Sequence, residues 1–588
     1  MTNDDRFRLD RVPATEDDWR DAVDGVLKGS PFEKVLVNQT AGGLDIQPLY
    51  APASTEPILP VDPHRVAYGW DIRQRHEATS PSACQAAVLD DLEHGVTSIE
   101  LGTPATAWGL DELRDALEGV LLDIAPVVLA PHTDLGSARA LVDLLDERNN
   151  ALTSRCWLGL DPIGAYARSH RVGAIDQVAE FATSIADTHP NVVACTIDTT
   201  RYVDAGADEV QEIAWMLATG VAMLRALEVA GLPVERAAAT IGFRVAADAD
   251  QFLTIARLRA ARSLWGSVLA TCGVDTHPSR FHAVTSPAMF SRRDAAVNML
   301  RSTSAAFGAG VGGADSVTVL PFDGSDSTLA RRNARNIHHL LIEESGVNRL
   351  VDPAAGSGFV ESLTDRLCEA AWSAFQQVEA DGGMVVALES GAVETAIDAA
   401  WSARLERLAT RKESVTGVSE FPDDAPGAVI PEPVGGFPVR RPAAPFEALR
   451  DAADRARGAG GSPAVHLAAL GSLADHTARS TWITNFLAVG GLDAIGGDAD
   501  GAASAADAAF EQAGASVVVL CSSDPVYAEL AAPAATALKA AGADFVALAG
   551  HPGERRDELA AAGVDAFFHV GVDVLAALTD LHERLGVR

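Results

Sequence analysis

Short apolar runs alternate with longer amphipathic stretches between residues 64 and 400. Eight of the runs have the length of buried strands, and segments of helical period such as Ala86–His94 and Leu110–Leu122 lie between them. The predicted strands are Val66–Ile72, Ser98–Leu101, Pro126–Ala130, Cys156–Leu160, Val192–Ile197, Thr240–Val245, Arg280–Val284 and Ser316–Leu320. Eight βα units in about 300 residues predict a (β/α)8 TIM barrel. A doubly wound open sheet is the alternative, because periodicity alone does not prove closure.

A second series of short apolar runs lies between residues 461 and 588. Five βα units in about 125 residues predict a flavodoxin-like parallel sheet. The predicted strands are Ala464–Leu470, Ala494–Gly496, Ser516–Cys521, Asp544–Leu548 and Ala566–Val570. Ligands of such sheets bind beyond the carboxyl ends of the strands, so the loop Gly471–Arg479 and the segment Cys521–Ser523 mark the predicted site. No G-x-G-x-x-G or Walker A pattern follows a strand, so no motif supports nucleotide binding.

The predicted fold class is α/β, and an arm and a linker join the barrel and the sheet as the other two of four predicted parts. Thr15 can cap a helix that ends near Leu27, and two short strands flank a turn at residues 41–43. This arm is too small to fold alone and is expected to pack on something else. Frequent Pro and Gly predict an extended connector that wraps the barrel. The parts are an arm at residues 1–60, the barrel at 61–413, the linker at 414–460 and the flavodoxin-like domain at 461–588.

Net charge and cysteine content indicate which partners and which cellular compartment to expect. The 588 residues carry a net charge of −35, which argues against nucleic acid or an anionic membrane surface as the main partner. Six scattered cysteines without a C-x-x-C pair indicate reduced thiols in a cytoplasmic protein. The N-terminus has no signal-peptide pattern, and no run of about 18 uncharged apolar residues predicts a membrane span.

The loop after the first strand of the last domain has the setting of a histidine–metal site without its geometry. A metal-bound histidine needs a group, commonly a carboxylate, that orients its other ring nitrogen. In an extended segment an Asp-x-His spacing would place both side chains on one face. Asp475 and His476 are adjacent instead, so their side chains are expected to point apart.

Ordered motifs are dispersed over nearly the whole chain. They are Leu27-Lys28-Gly29, Phe32-Glu33-Lys34, Pro48-Leu49-Tyr50, Ile72-Arg73-Gln74, Ala205-Gly206-Ala207, the run Arg259–Trp265 and the segment Ala334–Ser357. In this order they resemble the adenosylcobalamin-dependent acyl-CoA mutases, specifically methylmalonyl-CoA mutase. The resemblance implies a barrel that binds acyl-CoA and a C-terminal domain of the cobalamin-binding type. It also implies a radical interconversion of (R)-methylmalonyl-CoA and succinyl-CoA.

The chain departs from this family at the positions that carry catalysis. The resemblance places a Tyr directly after Ile-Arg-Gln, where Arg75 stands. It places a His shortly before Ala-Gly-Ala, where Arg201 stands. The chain therefore lacks both the Tyr and the His that the resemblance places at substrate positions.

Cobalamin-binding members carry D-x-H-x-x-G after the first strand of the last domain. Aligned on His476, the chain has Ala474 at the Asp position and Arg479 at the Gly position. Aligned on Gly471, it has Asp475 at the His position. An Asp oxygen is a poor substitute for imidazole on low-spin cobalt, and an Arg is bulky where the backbone must approach closely.

These losses imply the small, non-catalytic subunit of a heterodimer. No residue of this chain is then assigned a catalytic, cofactor-binding or metal-binding role. Adenosylcobalamin and the acyl-CoA substrate are expected on a homologous catalytic large subunit. One alternative is an independent acyl-CoA mutase whose cobalt is bound by His476. Another is a non-enzymatic chaperone or regulatory paralogue of the mutase.

Arginines near strand ends allow a second interpretation. Arg73, Arg75 and Arg201 could form a phosphate or CoA pocket, but salt-bridged structural arginines are the favoured interpretation. Arg244 in the sixth predicted strand and Asp198 after the fifth could form an ion pair inside the barrel.

Three further histidines have no assigned chemistry. His282 lies in the seventh predicted strand and is either a satisfied core histidine or a relic of substrate binding. His338 and His339 are adjacent in a predicted helix, which is the wrong spacing for chelation and favours structural roles.

Overall fold

A barrel and a five-stranded sheet, both built from parallel strands, form the described part of this chain. The computed structural model describes residues 15–587 except 54–57, 60–62, 78–79, 103–106, 132, 275–278, 326, 424–426, 428–429, 431–434, 497–509 and 511–514. The first 14 residues of the predicted arm and part of the predicted linker therefore lie outside the described residues.

The described arm has the elements that its sequence predicts. Thr15 caps the first helix, and its side chain and that of Asp18 each accept a hydrogen bond from the other's backbone N–H. The two short strands flank the predicted turn and pair antiparallel. The elements are α1 (Glu16–Leu27), α2 (Phe32–Leu36), β1 (Asn38–Gln39) and β2 (Asp45–Ile46).

Eight parallel strands close into a barrel, which confirms the predicted TIM barrel and excludes the open sheet. Closure is made by β10, which pairs with both β9 and β3. The strands are β3 (Asp71–His76), β4 (Ser98–Leu101), β5 (Val127–Leu129), β6 (Trp157–Leu160), β7 (Val193–Asp198), β8 (Ile241–Ala247), β9 (Arg280–Thr285) and β10 (Ser316–Thr318).

The first strand was predicted in the wrong place. The first three residues of the apolar run Val66–Ile72 end a helix, and β3 begins only at Asp71. Gly69 separates the two elements with a φ of +83°, a conformation that favours glycine. The sequence of β3 is rich in polar residues, and most of them are buried in this barrel. A hydrophobic pattern therefore could not mark this strand.

Helices surround the barrel and connect its strands. The predicted helix Ala86–His94 lies almost entirely within α4, whereas the one predicted over Leu110–Leu122 ends at Ala116. Short 3-10 or π turns occur at Pro287–Met289, Leu340–Glu344 and Val347–Arg349. The helices are α3 (Pro63–Tyr68), α4 (Pro81–Glu93), α5 (Leu110–Ala116), α6 (Leu135–Glu147), α7 (Tyr166–Ser169), α8 (Ile175–Ile185), α9 (Thr200–Asp204), α10 (Glu209–Val229), α11 (Val234–Ala239), α12 (Gln251–Thr271), α13 (Ala295–Val311), α14 (Thr328–His339), α15 (Gly358–Ala380), α16 (Met384–Glu389) and α17 (Ala392–Ala409).

Within the described residues, α10 alone has the length and apolar composition of a membrane-spanning helix. Inside the folded chain, 72% of its apolar window is buried.

The C-terminal sheet has the strand order β12-β11-β13-β14-β15. This is the flavodoxin-like order in which the second strand precedes the first, and it confirms the predicted class. The strands are β11 (Ala464–Ala469), β12 (Asp493–Gly496), β13 (Val517–Cys521), β14 (Phe545–Ala549) and β15 (Ala566–Phe568). The helices are α18 (Ala444–Gly458), α19 (Leu473–Val489), α20 (Asp524–Ala540), α21 (Arg556–Ala561) and α22 (Val574–Arg584), with a 3-10 turn at Gly553–Arg555.

The Pro content of the connector between the two units predicts an extended segment, but only part of the connector lacks regular secondary structure. Residues 435–443 are irregular and follow the barrel surface, but residues 444–458 form α18. Pro445 lies in the first turn of this helix, where its missing N–H costs nothing. The Pro-rich composition therefore predicts the irregular part and conceals the helix.

Candidate functional sites in the barrel and at the sheet edge

An indole ring fills the middle of the barrel. Trp157 of β6 is buried against Val128 and Val193 from the two neighbouring strands. Gly242 of β8 makes room for it, because a Cβ there would lie 2.7 Å from Cη2 of the indole. The Arg73 guanidinium lies over the same ring, 5.3 Å from its centroid. These side chains converge from several strands and so obstruct the lumen at this level.

Buried ion pairs form the next layer toward the carboxyl ends of the strands. Arg244 lies two residues beyond Gly242 on β8, and its Nη1 is 3.2 Å from Oδ2 of Asp198. Its Nη2 is 3.3 Å from Oε1 of Glu100. The side chains of Asp198 and Glu100 are fully buried. The predicted pair of Arg244 and Asp198 is therefore confirmed, and Glu100 is its unpredicted third member.

A second arginine compensates Asp198. Arg168 of α7 donates a hydrogen bond to its carboxylate, and the Thr200 hydroxyl donates another at 2.7 Å. Burial alone would raise the pKa of Asp198, but Arg244 and Arg168 outweigh burial and hold it below its ordinary value. Asp198 is consequently an ionised structural group.

Asp161 and Asp204 are two further buried carboxyls at this end of the barrel. Burial raises the pKa of each to about 7. The Ser286 hydroxyl donates to Asp204 at 2.6 Å, whereas Oδ2 of Asp161 has no hydrogen-bond donor among the described residues. Both carboxyls are therefore partly protonated near neutral pH.

The three candidate CoA arginines have different partners. Arg73 Nε donates to the Ser98 hydroxyl at 2.9 Å inside the barrel, and burial lowers the pKa of Arg73 to about 10. Arg75 forms an ion pair with Glu77, two residues along the chain. Arg201 lies on α9 and contacts the connector. The described contacts thus favour three separate structural roles over one shared pocket.

Arg201 holds the connector across the mouth of the barrel. Its Nη2 donates to the carbonyl oxygens of Gly435 at 3.1 Å and Phe437 at 3.0 Å. The Phe437 ring is buried, and its centroid lies 5.9 Å from that of Tyr202 and 6.3 Å from that of Tyr166. The connector therefore covers the carboxyl ends of β6 and β7 with an aromatic side chain.

The histidines of the barrel are buried or dispersed. Nε2 of His282 is 2.9 Å from the Thr318 hydroxyl, and burial, followed by Arg73, keeps its pKa well below the ordinary value. His338 accepts the indole N–H of Trp70 at 2.9 Å, and burial lowers its pKa to about 3. His339 lies near the carbonyl of His94 instead. The predicted structural roles of His338 and His339 fit these separate contacts.

The segment Gly471–Arg479 is not the predicted loop. Ser472 is the N-cap of α19, and Oδ2 of Asp475 accepts the Ser472 N–H at 2.9 Å and its O–H at 2.6 Å. His476 is buried within the helix, with Nδ1 3.3 Å from the Ser480 hydroxyl. Asp475 and His476 therefore do point apart, but on a helix rather than on an extended segment.

Arg479 occupies the edge of the sheet where ligands of this fold bind. Its Nη1 donates to the carbonyl of Ala549 at 2.9 Å, and its Nη2 donates to Asp524 at 2.6 Å. The guanidinium lies over the Tyr527 ring, 5.2 Å from the centroid. A Cβ at Gly550 would overlap the guanidinium, so this glycine leaves room for Arg479.

Hydrogen bonds also join the ends of β11 and β13, where the strand order reverses. The Ser522 hydroxyl donates to the carbonyl of Leu470 at 2.7 Å, and the Leu470 N–H donates to the carbonyl of Cys521 at 3.0 Å. Ser523 donates to Asp475 at 3.4 Å. The crevice in which a flavodoxin-like sheet binds its ligand is therefore spanned by side chains of the protein itself.

Several of these residues were not predicted from the sequence. Glu100 carried a signal, because a charge inside the predicted strand Ser98–Leu101 requires a buried partner. Trp157 and Phe437 carried none, because periodicity does not separate inner from outer barrel positions and Phe437 lies in a Pro-rich run.

Across the described ranges, no three His, Cys, Asp or Glu side chains are grouped so as to hold a metal ion. Six cysteines are free, and four of them are buried.

Comparisons with known proteins match both the fold and the chain order. The family model for methylmalonyl-CoA mutase matches residues 165–438. The methylmalonyl-CoA mutase small subunit of Streptomyces virginiae is 43% identical over 98% of this chain and 97% of that protein. The probable small subunit of Mycobacterium tuberculosis (strain ATCC 25618 / H37Rv) is 40% identical over 97% of each. Methylmalonyl-CoA mutase of Rhizobium meliloti is 34% identical over 42% of this chain and 35% of that protein.

A closed parallel barrel followed by a flavodoxin-like sheet, with these matches, defines a protein of the methylmalonyl-CoA mutase class. Within this class the near full-length matches are to small subunits, whereas the match to the Rhizobium mutase covers less than half of the chain. The chain belongs to the methylmalonyl-CoA mutase small-subunit family.

Proposed function

We propose that this chain is the non-catalytic small subunit of a heterodimeric, adenosylcobalamin-dependent methylmalonyl-CoA mutase. A homologous large subunit would bind the cofactor and the acyl-CoA and would interconvert (R)-methylmalonyl-CoA and succinyl-CoA. One observation carries the proposal. Arg75, Arg201 and Arg479 stand where the family resemblance expects Tyr, His and Gly, and each is engaged by its own chain.

The barrel supports this proposal because its interior is occupied by its own side chains. Trp157 fills the middle of the lumen, and the ion pairs of Arg244 form the layer above it. The buried Phe437 ring packs on Tyr166 and Tyr202, which follow β6 and β7. An acyl-CoA chain could enter only by displacing buried aromatic and charged groups, and an uncompensated buried charge is costly.

The edge of the C-terminal sheet also supports a cofactor site on the large subunit rather than on this chain. The residues present do not fit a cobalamin bound through a histidine, because the His476 ring is buried against Ser480 and Arg479 fills the adjacent space. No step of the reaction is therefore assigned to this chain. We place adenosylcobalamin on the large subunit, and we assign this chain no catalytic, cofactor-binding or metal-binding residue.

The arm supplies the surface that we propose for the partner. Helix α1 carries Trp19, Val23, Val26 and Leu27 at the spacing of one helical face, yet none of its residues is buried. Val26 is 79% exposed. An amphipathic helix normally buries such a face, so we expect the large subunit to cover it. We expect this assembly in the cytoplasm, with no nucleic-acid or membrane partner.

Cofactor binding by the separate chains tests the proposal. The purified chain is incubated with adenosylcobalamin, desalted and measured for corrin absorbance, alone and after mixing with the large subunit. We expect no absorbance from the chain alone. We expect the mixture to form an equimolar complex that retains cobalamin and has mutase activity. Stoichiometric cobalamin on the isolated chain would overturn the proposal.

The same experiment separates the two alternatives. If the chain alone bound cobalt through His476, the variant His476→Ala would lose the bound corrin, and the independent mutase would be the correct function. If the chain were a regulatory paralogue, chromatography with light scattering would show transient or substoichiometric association with the large subunit. The equimolar, stable complex is the outcome that agrees with our proposal.

A further inference from the structure

The segment 435–458 joins the barrel to the C-terminal sheet, and we call it the strap. Its first part, residues 435–441, crosses three barrel loops. The Phe437 N–H donates to the carbonyl of Ala167 after β6 at 2.8 Å, and the Arg440 N–H donates to the carbonyl of Asp204 after β7 at 2.7 Å. Arg441 donates to the carbonyl of Phe290 after β9 at 3.3 Å. The strap is thus bound at the carboxyl ends of several strands.

Its second part, α18, is attached to the C-terminal sheet. Phe446 is completely buried in the same apolar cluster as Phe486 of α19 and Leu578 of α22. Arg457, at the end of α18, pairs with Asp493 of β12 at 2.8 Å. Because its apolar face belongs to the core of the sheet, α18 should move with the C-terminal domain.

The opposite side of α18 carries three acidic residues, Glu447, Asp451 and Asp454. Their spacing of four and three residues places them on one helical face. Arg292 of the barrel donates its backbone N–H to Glu447 at 2.6 Å and also pairs with Asp451. Arg293 lies 2.9 Å from Asp451 and also pairs with Asp454. One row of carboxylates on the C-terminal domain thus meets two consecutive arginines on the barrel.

The buried end of this row differs from an ordinary surface ion pair. The Glu447 side chain is fully buried, and Arg441 of the strap also pairs with it at 2.7 Å. A carboxylate at this depth depends on its cationic partners, because water cannot replace them. The contact therefore has one well-defined geometry rather than a range of exchanging surface pairs.

We propose that the strap is a conformational latch that fixes the C-terminal domain over the barrel mouth. Arg201 fastens its first part through two carbonyls, and Arg292 and Arg293 fasten α18. Since the latch depends on charge, charge reversal should release it, whereas the folds of the barrel and the sheet should survive. This inference concerns the chain itself and does not depend on the proposed heterodimer.

Hydrogen exchange of the full chain, followed by mass spectrometry, tests the first fastener. Arg201→Ala should accelerate exchange in peptides that cover residues 435–443 by about 10- to 100-fold, the equivalent of one or two charged hydrogen bonds. Arg148→Ala is the matched control. Arg148 also donates to two carbonyls, those of Leu117 at 3.1 Å and Val120 at 3.0 Å, but at the other end of the barrel. Equal exchange in the two variants would overturn the proposal.

A charge exchange tests the second fastener and covers the case in which Arg201→Ala does not fold. Asp451→Arg should release α18, and small-angle scattering should show a larger radius of gyration. Combining Asp451→Arg and Asp454→Arg with Arg293→Asp should restore most of the compactness, because the new carboxylate at position 293 pairs with both new arginines while Arg292 keeps Glu447. An unchanged radius in Asp451→Arg would refute the latch, and so would a combined variant that stays as expanded as Asp451→Arg.

Discussion

Replacing Arg244 tests whether the ion pairs inside the barrel stabilise the fold or take part in catalysis. In the variant Arg244→Met, Asp198 keeps the Arg168 and Thr200 donors, so its charge remains compensated. Among the described residues, Glu100 keeps the Thr318 hydroxyl, at 3.4 Å, a neutral His282, at 3.9 Å, and the electrostatic attraction of Arg73. Most of the loss therefore arises from a buried, poorly compensated Glu100.

Breaking a buried pair by removing one partner typically costs about 3–5 kcal/mol. Because Asp198 retains a second arginine, we expect the lower part of this range, about 3 kcal/mol, for Arg244→Met. Adding Glu100→Gln removes the uncompensated charge and should recover most of the loss. The matched control is Arg225→Met, since Arg225 pairs with Glu379 at 2.7 Å but its side chain is 63% exposed. That variant should lose less than about 1 kcal/mol.

Two measurements check this reasoning. Denaturant unfolding, followed by a signal from the barrel, gives the change in the free energy of unfolding for each variant. Mutase activity of the proposed complex with the large subunit is then measured well below the unfolding temperature and divided by the amount of folded complex. We expect lower stability with unchanged specific activity. Lost activity with retained stability would refute the structural assignment of this layer.

Three further predictions concern protonation, the sheet edge and the barrel wall. Burial raises the pKa of Asp161 and Asp204 to about 7, so each contributes stability that is complete below the ordinary pKa near 3.8 and is lost as the pH rises through about 7. The stability of Asp204→Asn relative to the original chain should therefore increase from pH 5 to pH 8 in urea unfolding, and a constant difference would contradict the shift. Arg479→Gly should cost about 1–3 kcal/mol, from lost hydrogen bonds and a helical glycine, without conferring corrin absorbance; stoichiometric cobalamin binding would show that this side chain alone excludes the cofactor. Trp70→Phe should lower the free energy of unfolding by about 1–3 kcal/mol because the buried His338 loses its donor, and an unchanged melting temperature would argue against that bond.

The barrel and the sheet could be predicted because their βα alternation is local and repeated. Seven of the eight predicted barrel strands overlap observed strands closely, and the first is displaced. The displacement has a physical cause. Strand β3 directs Arg73 and its neighbours into a polar interior, so it lacks the apolar pattern that marks a buried strand.

The candidate sites could be predicted only by position. The sequence identifies Arg75, Arg201 and Arg479 as departures from a family pattern, but it does not reveal what each side chain contacts. The partners of Arg201 lie more than 200 residues away, and those of Arg479 lie on other strands and helices. The sequence predicts a loop at His476, whereas Ser472 caps a helix that begins at Leu473.

The sequence by itself determined the fold class, the order of the units and the family, since these follow from local periodicity and from short motifs in a fixed order. It also showed that the expected Tyr, His and Gly are absent. Only the tertiary structure decided what the arginines in their place contact: Arg75 pairs with Glu77, Arg201 binds the connector, and Arg479 fills space at the sheet edge. It also decided that Trp157 fills the barrel interior and that α18 joins the two units. These facts rest on contacts between residues far apart in the chain, and no local pattern encodes such contacts.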